Sequence, residues 1–223
     1  MSLSGDFTDE LIHRKEQVAE MASKLKAAAF DPRDAWMIYQ TRYKPMIRYC
    51  LPITTFTFED CCAIQRPFIN NFLNKLIMNR NTKRAIVWGP LEYGGLDIMH
   101  LAYEQIASHV VLMLANIRKG NETGTSKLLA MDAYQITLGC EQSFWLLDPD
   151  MYPTLPATHL SLQYVWETLR GIKGKLHIKE AWTPTKKFEG DSAIMDDIVR
   201  VARSRRGSTT HITHKQIYLA NSC

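Results

Sequence analysis

The chain has 223 residues, 46% of them hydrophobic and 22% charged, with a formal net charge of +4. That length supports one large domain or two small ones with a real core, and that balance excludes wholesale disorder. The mild positive charge permits a nucleic-acid partner without demanding one, because the clustering of charge matters more than its sum.

Over residues 6–28 the apolar side chains Phe7, Leu11, Val18, Met21 and Leu25 recur at helical spacing among Lys, Arg, Glu and Gln, which predicts an amphipathic helix. Phe30-Asp31-Pro32 ends it, since proline disfavours helical geometry in the residue before it. A second helix is predicted from about Arg33, with Trp36, Tyr39, Tyr43, Met46, Ile47 and Cys50 on one face and Pro45 kinking or dividing it. Residues 51–56 read as a linker. Thr57-Phe58-Glu59-Asp60 has the form of a capping box and opens a helix carrying Cys61, Ile64, Phe68, Phe72 and Leu76. Pro67 inside that run allows either one kinked helix or two stacked ones.

Next comes a basic turn, Asn79-Arg80-Asn81-Thr82-Lys83-Arg84, feeding an apolar run, Ala85-Ile86-Val87-Trp88, that is predicted to be extended. A bend punctuated by Gly89, Pro90, Gly94 and Gly95 follows. Glycine suits such a bend because positive φ and close backbone approach both penalise a Cβ. The bend opens into a long amphipathic helix with Ile98, Ala102, Ile106, Val110, Leu114 and Ile117, closed by Lys119-Gly120. Polar residues 121–125 are expected to be flexible and to mark a boundary between regions 1–120 and 121–223.

Beyond that boundary, residues 127–138 predict a shorter helix with Leu128, Leu129, Met131 and Ile136. Residues 160–172 predict another, with Leu162, Val165, Trp166 and Leu169. Leu176-His177-Ile178 alternates like a short strand. Asp191 is placed to cap a helix through Ile194, Met195, Ile198, Val199 and Ala202, and the tail from 209 to 219 reads as extended. The expected architecture is mostly α, with short extended segments in the smaller C-terminal region.

The start of the chain lacks the basic and apolar regions of a secretion signal, and no apolar run approaches the ~20 residues needed to span a bilayer. No membrane partner is expected, and the expected location is intracellular, either cytoplasmic or nuclear. The cysteines Cys50, Cys61, Cys62, Cys140 and Cys223 form no CxxC pair, which fits reduced thiols and gives no zinc site. Ile194-Met195-Asp196-Asp197 has the paired carboxylates of a two-metal polymerase site, but it sits in a helical period with no tyrosine before it, so a solvated helix face is expected. His100 and Glu104, four apart, and His211 and His214, three apart, are read as polar faces rather than metal sites. Gly94-Gly95 lacks both the spacing and the following Lys-Ser or Lys-Thr of a phosphate loop. No catalytic residue, metal or cofactor is expected.

The basic clusters carry more. Arg80, Lys83 and Arg84, beside Asn79 and Asn81, offer donors matched to phosphate oxygens. Arg203, Arg205 and Arg206 form a second cluster.

From about residue 33 to the end, the order of signals resembles the region downstream of the palm in reverse transcriptases of eukaryotic retrotransposons. The motifs that carry the likeness begin with Tyr43-Lys44-Pro45, Tyr49-Cys50-Leu51-Pro52 and Ile64-Gln65-Arg66-Pro67. They continue through Asn79-Arg80-Asn81-Thr82-Lys83-Arg84-Ala85, the Gly89-Pro90-x-Glu92-x-Gly94-Gly95-Leu96 bend, and Gln105. The later ones are Ala181-Trp182-Thr183-Pro184, Glu189 with Asp191, Ile194-Met195, and Tyr218-Leu219. The tail departs from the pattern at Thr213 and Gln216. The palm, with its Tyr-x-Asp-Asp box, is absent from this sequence.

The resemblance implies a helical thumb-like region that holds an RNA–DNA or DNA duplex by its backbone and partners a palm and fingers domain. It implies no polymerase activity by this chain alone. Residues 79–84 would contact phosphates, and Gly89, Pro90, Gly94 and Gly95 would shape the bend. A competing expectation is a helical protein-interaction module with no nucleic-acid role, docking through an exposed aromatic face at Trp36, Tyr39 and Tyr43.

Overall fold

A computed structural model describes residues 7–140, 142–147, 160–171, 174–178 and 200. The protein is mostly helical, and among the described residues there is no strand. The chain divides into two compact units, Met1–His109 and Val110–Cys223.

In the first unit, α1 (Thr8–Ala27) starts with Asp9 and Glu10 and ends with Lys24 and Lys26, charges that oppose the helix dipole at each end. It buries Val18, Ala22 and Leu25 against α4 (Phe58–Lys75). Asn71 Nδ2 donates to the Ala22 carbonyl at 3.0 Å, and Lys75 Nζ donates to the Ala28 carbonyl, one of the acceptors left free where α1 ends. Asp31 both follows the end of α1 and caps α2 (Pro32–Ile38), its carboxylate accepting from the Asp34 N–H at 2.8 Å.

The helix predicted from about Arg33 is divided ahead of Pro45 without ending. The backbone widens into one π turn over Tyr39–Tyr43, where the Lys44 N–H donates to the Tyr39 carbonyl, and then resumes as α3 (Lys44–Arg48). Proline lacks an N–H and crowds the carbonyl four residues earlier, and a single wide turn accommodates that defect without ending the helix. In α4, Thr57 Oγ1 accepts from the Asp60 N–H at 3.1 Å and donates to the Asp60 carboxylate at 2.7 Å. Pro67 lies within one continuous helix. Both Pro67 and Ala63, whose carbonyl loses its usual donor, face solvent, so water can solvate the unfilled acceptor.

These helices enclose a ladder of rings. Tyr43 and Phe68 stack at 3.8 Å and 11°, Tyr39 and Phe72 at 5.1 Å and 20°, and Trp36 lies 5.8 Å from Phe72. Tyr39 and Tyr43 are buried, and Trp36 is half-buried against the same core. The exposed aromatic docking face expected at these three residues is therefore absent. Their rings point inward because the helix carrying them packs that side on α4.

The core also holds polar groups whose roles are structural. Gln65 Oε1 accepts from the Leu101 N–H at 3.0 Å, and so serves the first turn of α6 (Leu101–Lys119). Gln105 Nε2 donates to the Phe56 carbonyl at 3.1 Å, and His109 Nε2 lies 2.6 Å from the Thr54 carbonyl. Together these side chains serve the backbone polar groups of the 51–56 segment, which is partly buried rather than a loose linker. The Tyr39 hydroxyl accepts from the Met99 N–H at 2.7 Å. Tyr39→Phe is expected to leave that buried N–H unsatisfied and to cost about 1–3 kcal/mol of stability, measured as a lower urea midpoint at unchanged slope.

In the second unit, Asn121 caps α7 (Glu122–Leu138) by accepting from the Gly124 N–H at 2.8 Å. Residues 122–125, expected to be flexible, are therefore its first turn. The buried side of α7 is Met131, Tyr134, Gln135 and Leu138, whereas Leu129 and Ile136, assigned to the apolar face from sequence, are exposed. Gln135 binds the chain after the helix, donating to the Cys140 and Gln142 carbonyls and accepting from the Phe144 N–H at 2.9 Å. That leads Phe144 and Trp145 into a core with Leu162, Val165, Trp166 and Leu169 of α8 (Leu160–Gly171). Residues 176–178 form no strand, and the Leu176 N–H donates to the Trp145 carbonyl at 3.1 Å.

Candidate nucleic-acid interface

The basic turn begins where α4 stops. The Met78 N–H donates to the Leu73 carbonyl at 2.9 Å and the Ile77 N–H to the Asn74 carbonyl at 3.1 Å, the paired bonds of a Schellman ending. That ending needs a left-handed residue, and the position is held by Ile77, at φ 59° and 86% exposed. A β-branched side chain there carries steric strain that glycine would not. Ile77→Gly is expected to raise stability by about 1 kcal/mol, read from the urea midpoint.

Asn79 then folds the turn on itself. Its Oδ1 accepts from the Asn81 N–H at 2.8 Å, and its carbonyl accepts from both the N–H and the hydroxyl of Thr82, at 2.9 and 2.6 Å. Asn79 thus shapes the turn, so its carboxamide oxygen is committed to local structure. Arg80, Asn81, Lys83 and Arg84 are exposed, and among the described residues none of the three cations pairs with a carboxylate. Arg84 Nη2 donates to Asn70 Oδ1 of α4 at 3.3 Å, which anchors that guanidinium on a long helix.

The apolar run after the turn is not extended. It forms α5 (Arg84–Trp88), because Ile86 and Val87 N–H groups turn back to the Lys83 carbonyl and Val87 buries into the core. The glycine bend then folds against α5. Leu96 N–H donates to the Ile86 carbonyl at 2.8 Å, Asp97 N–H to the Gly89 carbonyl at 2.8 Å, and Ile98 N–H to the Val87 carbonyl at 3.1 Å. Gly94 is left-handed at φ 77°. A Cβ on Gly95 would sit 2.0 Å from the Gly89 carbonyl oxygen, so the two backbone strands of the bend touch there. Pro90 accepts the Gly95 N–H at 3.0 Å through its carbonyl. Gly89, Pro90, Gly94 and Gly95 thus form one closed loop that leads through residues 96–100 into α6.

A feature not visible in the sequence lies beside this loop. Trp88 meets His100 edge-on at 5.0 Å, and His100 stacks near Phe58 at 5.3 Å and 21° and lies 4.6 Å from Tyr103. These rings come from three stretches: α5, the start of α4, and the entry to α6, where His100 and Tyr103 lie three residues apart. His100 is held below its ordinary pKa by burial, which favours the neutral ring. Glu104, four residues on, pairs with Arg48.

No group of His, Cys, Asp and Glu among the described residues is arranged to hold a metal. No described helix is long and apolar enough to cross a membrane. Asp196, Asp197, Arg203, Arg205, Arg206, His211, His214 and the later motifs of the resemblance lie outside the described residues. No protein-family model, curated protein or solved structure matches the chain.

Proposed function

We propose that the chain is a non-catalytic, thumb-type part of a retrotransposon reverse transcriptase, holding an RNA–DNA or DNA duplex by its phosphates. The observation that carries this is the turn at residues 80–84. It presents Arg80, Lys83 and Arg84 to solvent without carboxylate partners, on a backbone closed by Asn79 on one side and the glycine loop on the other. A fixed turn of cations suits a sequence-independent grip, because phosphate contacts position a duplex without reading its bases. The chemistry of polymerisation would belong to a palm and fingers domain carried elsewhere.

The test is the salt dependence of hybrid binding. Arg80→Ala with Arg84→Ala is expected to weaken binding and to flatten the plot of log affinity against log salt by about 0.7–0.9 for each lost contact. An unchanged slope would remove this turn from the interface.

A further inference from the structure

Between Asp60 and Glu92 the chain contains no Asp or Glu, yet it holds Arg66, Lys75, Arg80, Lys83 and Arg84. The turn at residues 79–84 accounts for only the later part of that stretch. The earlier part is α4, one continuous helix to Lys75 despite Pro67. Its polar side chains divide by side. Asn71 and Lys75 face the end of α1, where they are committed to the Ala22 and Ala28 carbonyls. Arg66, Asn70 and Asn74 recur every four residues on another side. There Arg66 and Asn74 are exposed and Asn70 is half-buried. Among the described residues Arg66 pairs with no carboxylate.

A single hydrogen bond joins this row to the turn. Asn70 Oδ1 accepts from Arg84 Nη2 at 3.3 Å, so the carboxamide oxygen is occupied and its NH2 group remains to donate. The Arg84 guanidinium keeps its other N–H donors and its full charge, because its partner is neutral. Arg84 is therefore positioned on α4 without being neutralised there. Arg66 lies one turn before Asn70, about 6 Å along the helix axis. One strand of a duplex carries a phosphate about every 3.4 Å of its axis, so two guanidinium groups at that separation fall within two phosphate steps. Glu59, two turns before Arg66 on the same side and exposed, marks the acidic end of the row.

We propose that α4 carries the phosphate contacts beyond the turn, with Arg66 and the Asn70–Arg84 pair holding neighbouring phosphates of one strand of the duplex. This rests on the phosphate-binding role of residues 80–84 and gives the strand a path, from the turn along the Arg66 side of α4. The occupant is a phosphodiester strand, because positive charge and N–H donors without a carboxylate suit phosphate oxygens whatever the base sequence.

The test is the salt dependence of RNA–DNA hybrid binding by the whole chain. Arg66→Ala is expected to flatten the plot of log affinity against log salt by about 0.7–0.9, leaving the slope that belongs to the turn. Arg66→Lys, which keeps the charge, is expected to keep the wild-type slope. Asn70→Asp removes no cation, but it sets a carboxylate against Arg84 and is expected to weaken binding and flatten the slope. An unchanged slope in Arg66→Ala, beside a flattened one in Arg80→Ala with Arg84→Ala, would overturn the path along α4 and leave the turn standing. The row would then fit an acidic protein surface instead. No salt-dependent binding by the wild type would overturn both. A slope that falls as far in Arg66→Lys as in Arg66→Ala would also overturn the path, by denying a role to charge at that position. So would a slope that Asn70→Asp leaves unchanged, by removing Arg84 from the strand on α4.

Discussion

Phe68→Ala is expected to lower the unfolding free energy by about 3–5 kcal/mol. Phe68 is fully buried and lies within stacking distance of Tyr43, Tyr39 and Phe72, so its removal takes a partner from three rings at once. Each such pair contributes about 0.5–1.5 kcal/mol beyond the burial of its area. Relaxation cannot close the gap easily, since Tyr39, Tyr43 and Phe72 are themselves fully buried in the same core. Phe68→Leu keeps most of the volume and is expected to cost less than half as much. Urea unfolding followed by circular dichroism measures both, and a loss under 1 kcal/mol for the alanine variant would mean that the ring ladder is not the centre of this core.

The second large effect is expected at the glycine bend. Gly95→Ala places a methyl group 2.0 Å from the Gly89 carbonyl oxygen and 2.7 Å from the Gly89 Cα, both backbone atoms that cannot turn aside. The bend must open, and its hydrogen bonds from Leu96 and Asp97 to α5 and Gly89 are the ones at risk. A cost of about 2–4 kcal/mol is expected, in the range of other strained backbone substitutions. Gly94→Ala is the control. Its Cβ would meet nothing within 4 Å, so only the left-handed backbone is penalised, at about 1 kcal/mol. The order of the two variants matters more than either value. If Gly94→Ala were the more damaging, conformational freedom rather than close contact would be the reason for the paired glycines.

Much of the first unit was legible in the sequence because its signals are local. Thr57 and Asp60 name the start of α4, and the spacing of Val18 with Leu25 or of Phe68 with Phe72 assigns each buried side. Gly94-Gly95 announces a bend whatever surrounds it. What the sequence could not supply depends on partners distant in the chain. Ile86-Val87 is β-branched and apolar, which favours a strand locally, yet α5 forms because Val87 is drawn into the core and the loop at residues 96–98 bonds to its carbonyls. Ile77 gives no hint of a left-handed residue, since isoleucine is among the poorest choices for one. Leu129 and Ile136 looked like the buried side of α7, but Tyr134 and Gln135 take that place. Tyr134 packs edge-on against Phe144 at 5.9 Å, and Gln135 is needed by the chain after Gly139.

The candidate site divides in the same way. The cations at 80, 83 and 84 were visible as a cluster, and they are exposed. That Asn79 Oδ1 closes the turn required the geometry of its side chain. The cluster around His100 draws on three segments, with Phe58 thirty residues before Trp88, so no short window of sequence contains it.

The most direct test of the central claim is the affinity of the whole chain for an RNA–DNA hybrid, measured across a series of salt concentrations. If Arg80, Lys83 and Arg84 hold phosphates, log affinity falls linearly with log salt, with a slope of magnitude about 2–3 from three contacts. Absence of hybrid binding, or binding that does not change with salt, would contradict it.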